Sequence, residues 1–309
     1  MKHLSKETLE GLDIGFDEVV ASMEHLVAMQ AKGRVWVAPK TNMEASDNRY
    51  MMATLAAADD PPFMAVKALL INPANPERGL NTINSSVTLL DSDTGEPVVM
   101  MDGNWVTAVR TAGASALVAK RLAKADSHIL SLVGCGVQAR SHLRAFSELF
   151  PLKEVRALGR GVKNRDELCR TAVDLGLKAV ACENAKEAVA DADIVVSSIP
   201  LVPKPEAILD ATWLKPGAFV SSTDLALPWK RETMRVFDRI IIDDRKQEAA
   251  MSEPMVDAAL VDGDVAELVS GEVEGRSDKR ERTAFVFRSV ALGDLAIAAL
   301  AYEKAGKLA

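Results

Sequence analysis

Leu132-Val133-Gly134-Cys135-Gly136-Val137-Gln138-Ala139 is the stretch on which the reading of this chain turns. It is a G-x-G-x-x-A pattern. An apolar run, residues 128–134, leads into it, and an amphipathic segment, residues 138–149, leads out. A strand, a tight glycine turn and a helix in that order make a phosphate cradle. Gly134 permits the turn and Gly136 lets the backbone approach a pyrophosphate. Ala139 keeps the helix close to the sheet, with the N–H groups of Val137 and Gln138 at its positive end. The pattern predicts a dinucleotide-binding βαβ unit. An acid ~20 residues further on would hold the ribose diol of NAD. That position carries Arg160 instead, with Lys163 and Arg165 close behind. Three cations at the tip of the next strand suit a 2′-phosphate, so NADP is the expected cofactor, with NAD possible.

Outward from this loop the chain alternates short apolar runs with helix-like segments. The runs are residues 128–134, 154–160, 177–182, 193–199, 218–223 and 239–244; helix-like segments at 138–149 and 165–175 lie between some of them. This rhythm predicts an α/β fold with a Rossmann-type, doubly wound parallel sheet over residues 116–292. The N-terminal part, residues 1–115, has a different texture. One helix (16–30) precedes β-like runs at 34–38, 50–56, 63–71, 86–90 and 97–102, separated by Pro-, Asn- and Gly-rich turns. It reads as an α+β sheet domain. A small-residue helix over 106–123 joins the two parts. A closing helix, 293–309 in outline and clearest over 293–307, follows the second part.

Composition removes other classes. The 309 residues carry 37 Lys+Arg and 44 Asp+Glu, a net charge of −7 that argues against a nucleic-acid binder. No run approaches the ~18 apolar residues of a membrane span. The first 20 residues lack an apolar signal core, so a cytoplasmic location is expected. Three cysteines without a CxxC pair and four histidines without metal spacing offer no metal site.

Further blocks extend the pattern. Residues 110–123 (RTAGASALVAKRLA), 130–146 (LSLVGCGVQARSHLRAF), 222–232 (STDLALPWKRE), 64–67 (MAVK) and 91–97 (DSDTGEP) stand in one order and spacing. In these blocks the chain resembles the ornithine cyclodeaminase/mu-crystallin family from about residue 30 to the closing helix. The resemblance implies a homodimer built through the N-terminal sheet domain, a domain that also binds substrate and to which the closing helix returns. It also implies a nicotinamide-dependent enzyme working at the Cα–N bond of an amino or imino acid. Lys67 and Arg110 would bind the substrate carboxylate, with Lys40 standing where the family commonly has Arg. Thr111 would lie near the cofactor phosphates, and Ser197 and Ser198 near the nicotinamide. Asp224, and with it Lys67, would be catalytic, Asp224 as the general acid–base on the substrate nitrogen. Alternatives are a helix N-cap for Asp224, a snorkelling lysine at 67 and a surface ion pair at Arg110.

The function expected is reduction of the C=N bond of a small α-imino acid or cyclic ketimine. Two other readings stay open: an ornithine cyclodeaminase-type lyase that recycles its cofactor, and a non-catalytic NADPH-binding protein. Cys135 is expected to be a packing residue and His142 half-buried or exposed. Trp229 would either close the pocket or pack at the surface.

Overall fold

A computed structural model of the chain describes residues 1–200 and 206–307; the last two residues of the expected closing helix lie outside this set. The N-terminal part runs β1 (Lys2–Leu4), α1 (Lys6–Glu10), α2 (Phe16–Ala31), β2 (Val35–Val37), β3 (Thr41–Glu44), β4 (Tyr50–Ala58), β5 (Phe63–Ile71), β6 (Ile83–Asp91), β7 (Pro97–Asp102) and α3 (Gly103–Leu122). There follow β8 (Ile129–Val133), α4 (Val137–Leu149), β9 (Glu154–Leu158), α5 (Val162–Asp174), β10 (Lys178–Ala181), α6 (Ala185–Val189), β11 (Ile194–Ser197) and β12 (Phe219–Ser222). The rest is β13 (Arg239–Ile242), α7 (Arg245–Ala249), β14 (Gly263–Asp264), α8 (Val265–Ser270), β15 (Thr283–Val286) and α9 (Ala291–Lys307). Two compact units result, Met1–Gly113 with Val290–Ala309, and Ala114–Ser289.

The first unit is a sheet in the order β1-β7-β6-β5-β4-β2, with β3 also on β4. Its long strands β4 to β7 are antiparallel neighbours, and β1 joins β7 in parallel. Side chains alternate between faces. Ala56, Ala65, Leu69, Val87, Leu89, Val99 and Met101 are buried, and α9 packs across β4, β5 and β6. Two polar residues, Thr54 and Lys67, interrupt this apolar face and stand opposite each other in the β4–β5 register. The other face remains apolar yet exposed, with Trp36, Met51, Leu55, Met64 and Leu70.

The second unit is a parallel sheet in the order β10-β9-β8-β11-β12-β15-β13-β14. From β8 the chain steps outward through β9 and β10. It then returns to β11 on the opposite side of β8, so a topological switch point lies between β8 and β11. Open α/β sheets bind ligands beyond the carboxyl ends of strands at such a point. This is the Rossmann-type α/β fold expected, with two differences. Helices α4 and α5 begin one and three residues earlier than their apolar periodicity suggests. Past β11 the crossovers to β12 and β13 carry, among the described residues, only short 3₁₀ turns, and β15 enters the sheet between β12 and β13.

Candidate active site

The phosphate loop leaves β8 at Gly134, whose φ is +97°. A Cβ there would stand 2.5 Å from the Ser198 carbonyl oxygen, which no side chain tolerates. At Gly136 a Cβ would meet nothing within 4 Å, so the loop opens onto free space where a ligand backbone would pass. Helix α4 starts there, and Gly136 gives it no side-chain cap. The first-turn N–H groups of Val137 and Gln138 thus have no competing side-chain acceptor at the cap. Two buried polar atoms at this edge, Ser198 Oγ and Gln138 Oε1, have no hydrogen-bond partner among the described residues. The cradle, the uncapped 13-residue helix and the orphaned Ser198 hydroxyl, a donor, fit a bound pyrophosphate; Gln138 Oε1, an acceptor, does not address it.

Beyond β9, Arg160 and Lys163 are exposed. Arg165 is drawn inward, 3.2 Å from Asp166 and 3.7 Å from Glu183. Arg160 and Lys163 therefore remain the cations of the cluster that face water. Gly159 lies against the loop, for a Cβ on it would stand 2.8 Å from Cys135 Sγ. Burial pushes the Cys135 thiol up to about 11, so it is a neutral packing group.

The carboxyl ends of β11 and β12 carry a second group. Ser197 and Ser222 are register partners, which sets their hydroxyls side by side, Oγ to Oγ 3.1 Å. Both address Asp224: Ser197 Oγ donates to Oδ1 at 2.9 Å and Ser222 Oγ at 2.6 Å. The Ile199 N–H donates to Oδ2 at 3.1 Å. Trp229 Nε1 in turn donates to Ser197 Oγ at 3.1 Å. Asp224 is 1% exposed, and burial raises its carboxyl above the ordinary range although these hydrogen bonds oppose the rise. Oδ1 already accepts two hydroxyls and Oδ2 one N–H, so Oδ2 is the oxygen with room for a proton. The two residues that follow, Leu225 and Ala226, hold φ of +61° and +56°, a strained conformation for residues with a Cβ.

This geometry changes three readings. Asp224 is not an N-cap; the 3₁₀ helix Arg231–Val236 is preceded by Lys230 in that place. Trp229 does not pack at the surface: it is 2% exposed, and its Nε1 donates to Ser197 Oγ. His142 is fully buried rather than half-exposed. It lies on the α4 face of Ala139, Leu143 and Phe146, the i, i+3, i+4 row that packs inward. Its Nδ1 lies 2.7 Å from the Gln138 carbonyl oxygen and its Nε2 2.9 Å from Ser115 Oγ. Burial pushes the imidazole down to about 4, so it is neutral.

The first unit holds the other candidates. Lys67, on β5, is 1% exposed and Arg110, on α3, is 5% exposed. Both are ion-paired with Asp294 of α9, Lys67 Nζ at 2.7 Å and Arg110 Nε at 3.1 Å from its Oδ1. Thr54 Oγ1 donates to Oδ2 at 3.0 Å. Burial and the Arg110 charge push Lys67 down to about 8, while Asp294 pulls the other way. For Asp294, burial would raise the carboxyl, but Lys67 and Arg110 hold it below its ordinary value. Neither cation is a surface group, so the snorkelling and surface-pair readings do not apply. Lys40 is half-buried, and its charge is felt at Lys67. Thr111 is buried with its hydroxyl on the Thr107 carbonyl at 2.7 Å.

Asp294 is the residue the sequence reading missed. Its signal was present: one acid inside Leu292-Gly293-Asp294-Leu295-Ala296-Ile297 is a charge in an apolar helix, which requires a buried counter-charge. Among the described residues no group of three His, Cys, Asp or Glu side chains is arranged to hold a metal ion, and no helix is long and apolar enough to cross a membrane.

A family model described as the ornithine cyclodeaminase/mu-crystallin family matches residues 5–308. Ketimine reductase mu-crystallin of Mus musculus is 30% identical over 257 residues, covering 82% of this chain and 79% of its own length. The solved structure of Thermococcus litoralis Delta(1)-pyrroline-2-carboxylate reductase in complex with NADH and L-proline superposes with a TM-score of 0.91 at 29% identity, covering 99% of this chain and 98% of that one. An archaeal alanine dehydrogenase dimer with bound NAD gives 0.88 at 26% identity, covering 99% and 96%.

Proposed function

The chain belongs to the ornithine cyclodeaminase/mu-crystallin family, and from that premise we propose an NADPH-linked reductase for the C=N bond of small α-imino acids or cyclic ketimines, reversible as an amino-acid dehydrogenase. The observation that carries the reading is one sheet edge. The phosphate cradle after β8 and the buried carboxyl after β12 stand at carboxyl ends of strands separated only by β11. A dinucleotide held by the first would therefore run beside an acid able to handle a proton.

When bound, the dinucleotide supplies or accepts a hydride. Gly134, Gly136 and the N–H groups of Val137 and Gln138 hold its pyrophosphate, with Thr111 and Ser198 as further contacts. Arg160 and Lys163 would meet the 2′-phosphate of NADP, with Arg165, held near Asp166 and Glu183, as the third cation of the cluster. Lys67, Arg110 and Lys40 bind the substrate carboxylate by charge-assisted hydrogen bonds. Asp224 supplies or holds the proton on the substrate nitrogen through Oδ2. The carboxyl raised by burial suits this task, since a raised acid holds its proton more readily than an exposed one.

The apolar outer face of the first sheet, with Trp36, Met51, Leu55, Met64 and Leu70 exposed in one chain, is the homodimer surface in this reading. Incubation with NADPH or NADH and a panel of cyclic imines, or of 2-oxoacids plus amines, tests the activity. Ornithine and lysine run in parallel. Dinucleotide oxidation with the imines, faster with NADPH, supports the proposal. Ammonia release from ornithine without net change in the dinucleotide would establish the lyase instead.

A further inference from the structure

We propose that Asp294 is a positioning residue for the substrate carboxylate, the internal counter-ion that keeps Lys67 charged and aims Lys67 and Arg110. The inference rests on the carboxylate-binding role given to those two cations above. Two like charges have been brought together on β5 and α3 with almost no solvent, and such a pair repels itself. One carboxylate oxygen, Asp294 Oδ1, touches both, at 2.7 and 3.1 Å. The second oxygen is pinned by the Thr54 hydroxyl at 3.0 Å, so the carboxylate cannot turn away. Thr54 is itself the register partner of Lys67, so β4 and β5 set the hydroxyl and the ammonium on the same side of the sheet. The result is a preorganised group of two buried cations and one anion with one net positive charge, to which half-buried Lys40 adds a second, complementary to an anionic substrate group.

Lys67 is faced by Asp294 from α9, Thr54 from β4 and Arg110 from α3, and it feels the charge of Lys40 after β2. Without Asp294, burial, Arg110 and Lys40 all favour loss of the lysine proton. The charged lysine is the form that binds substrate, so kcat/KM falls as pH rises through the lysine's range near 8. Removing Asp294 moves that fall to lower pH.

Asp294→Asn, Asp294→Glu and Lys67→Met test this with Delta(1)-pyrroline-2-carboxylate as the probe, read as kcat and KM from pH 6 to 10, with thermal melting to verify folding. Asp294→Asn is expected to raise KM ~10–100-fold with kcat held within a few-fold, the scale of a lost charge-assisted contact. Its basic limb should shift downward in pH. Asp294→Glu keeps the charge and should leave the limb in place. A folded Asp294→Asn protein with wild-type KM and an unmoved limb overturns the inference. If Asp294→Asn does not fold, Thr54→Val replaces it: a severalfold rise in KM supports the inference and an unchanged KM overturns it. Lys67→Met separates the premise. If it leaves KM unchanged, the carboxylate site itself is misassigned; if it raises KM while Asp294→Asn does not, only the role of Asp294 falls.

Discussion

Asp224→Asn isolates the proton from the shape of the site. In the wild type, two rotatable hydroxyls meet Oδ1 and one fixed N–H meets Oδ2, at 2.9, 2.6 and 3.1 Å. An asparagine has one oxygen to offer. Facing its NH₂ to the Ile199 N–H would oppose two donors, a loss of ~1–3 kcal/mol. The other orientation costs less: the amide oxygen accepts from Ile199, and the hydroxyls of Ser197 and Ser222 turn to accept from the NH₂. The side chain then keeps its place, and the fold and the phosphate loop are untouched. The transferable proton is gone. A positioned general acid contributes ~10²–10⁴-fold, or ~3–5 kcal/mol of barrier. Steady-state oxidation of NADPH by Delta(1)-pyrroline-2-carboxylate should show kcat reduced by that factor. Melting temperature and dinucleotide Kd, read by fluorescence, should stay near wild type. A folded variant with kcat within threefold of wild type would refute the assignment of Asp224.

Gly134→Ala forces a Cβ to 2.5 Å from the Ser198 carbonyl at a φ of +97°; calorimetry should show dinucleotide affinity reduced at least ~10-fold, with imino-acid recognition unaffected. His142 stays neutral down to about 4 against an ordinary 6.5. The unfolded chain takes up that proton first, so stability is complete above pH 6.5 and declines between pH 6.5 and 4, by on the order of 3 kcal/mol. Urea titrations of wild type and His142→Gln should show this slope in the first and not in the second. Leu55→Asp places a charge on the exposed apolar sheet face; light scattering should show a dimer for wild type and a 33 kDa monomer for the variant.

What was readable in the amino-acid order follows from locality. The glycines at 134 and 136 are demanded by backbone conformation and by open space beside the backbone, needs that adjacent residues express. Long strands such as Phe63–Ile71 carry their alternation on their face. Strand β15 was hidden because its apolar run, 284–287, directly follows the wholly charged stretch 278–282 and precedes Arg288, with no helix-like segment directly before it to mark a crossover. Strands β1 and β14 are shorter still. His142 was legible on the helical row with Ala139, Leu143 and Phe146, but a titratable side chain invites a surface reading. The network on Asp224 needs the β11–β12 register, which no local pattern contains. Asp294 meets Lys67 across 227 positions, and only the docking of α9 on β5 brings them together.

The central claim is that hydride is delivered to an imine carbon. Its most direct test uses NADPH carrying deuterium at both C4 positions with Delta(1)-pyrroline-2-carboxylate, followed by mass spectrometry and NMR of the product. One deuterium at Cα of proline for each dinucleotide oxidised is the expected result. Proline without Cα deuterium, or no dinucleotide oxidation with any imine while ornithine releases ammonia, would contradict it.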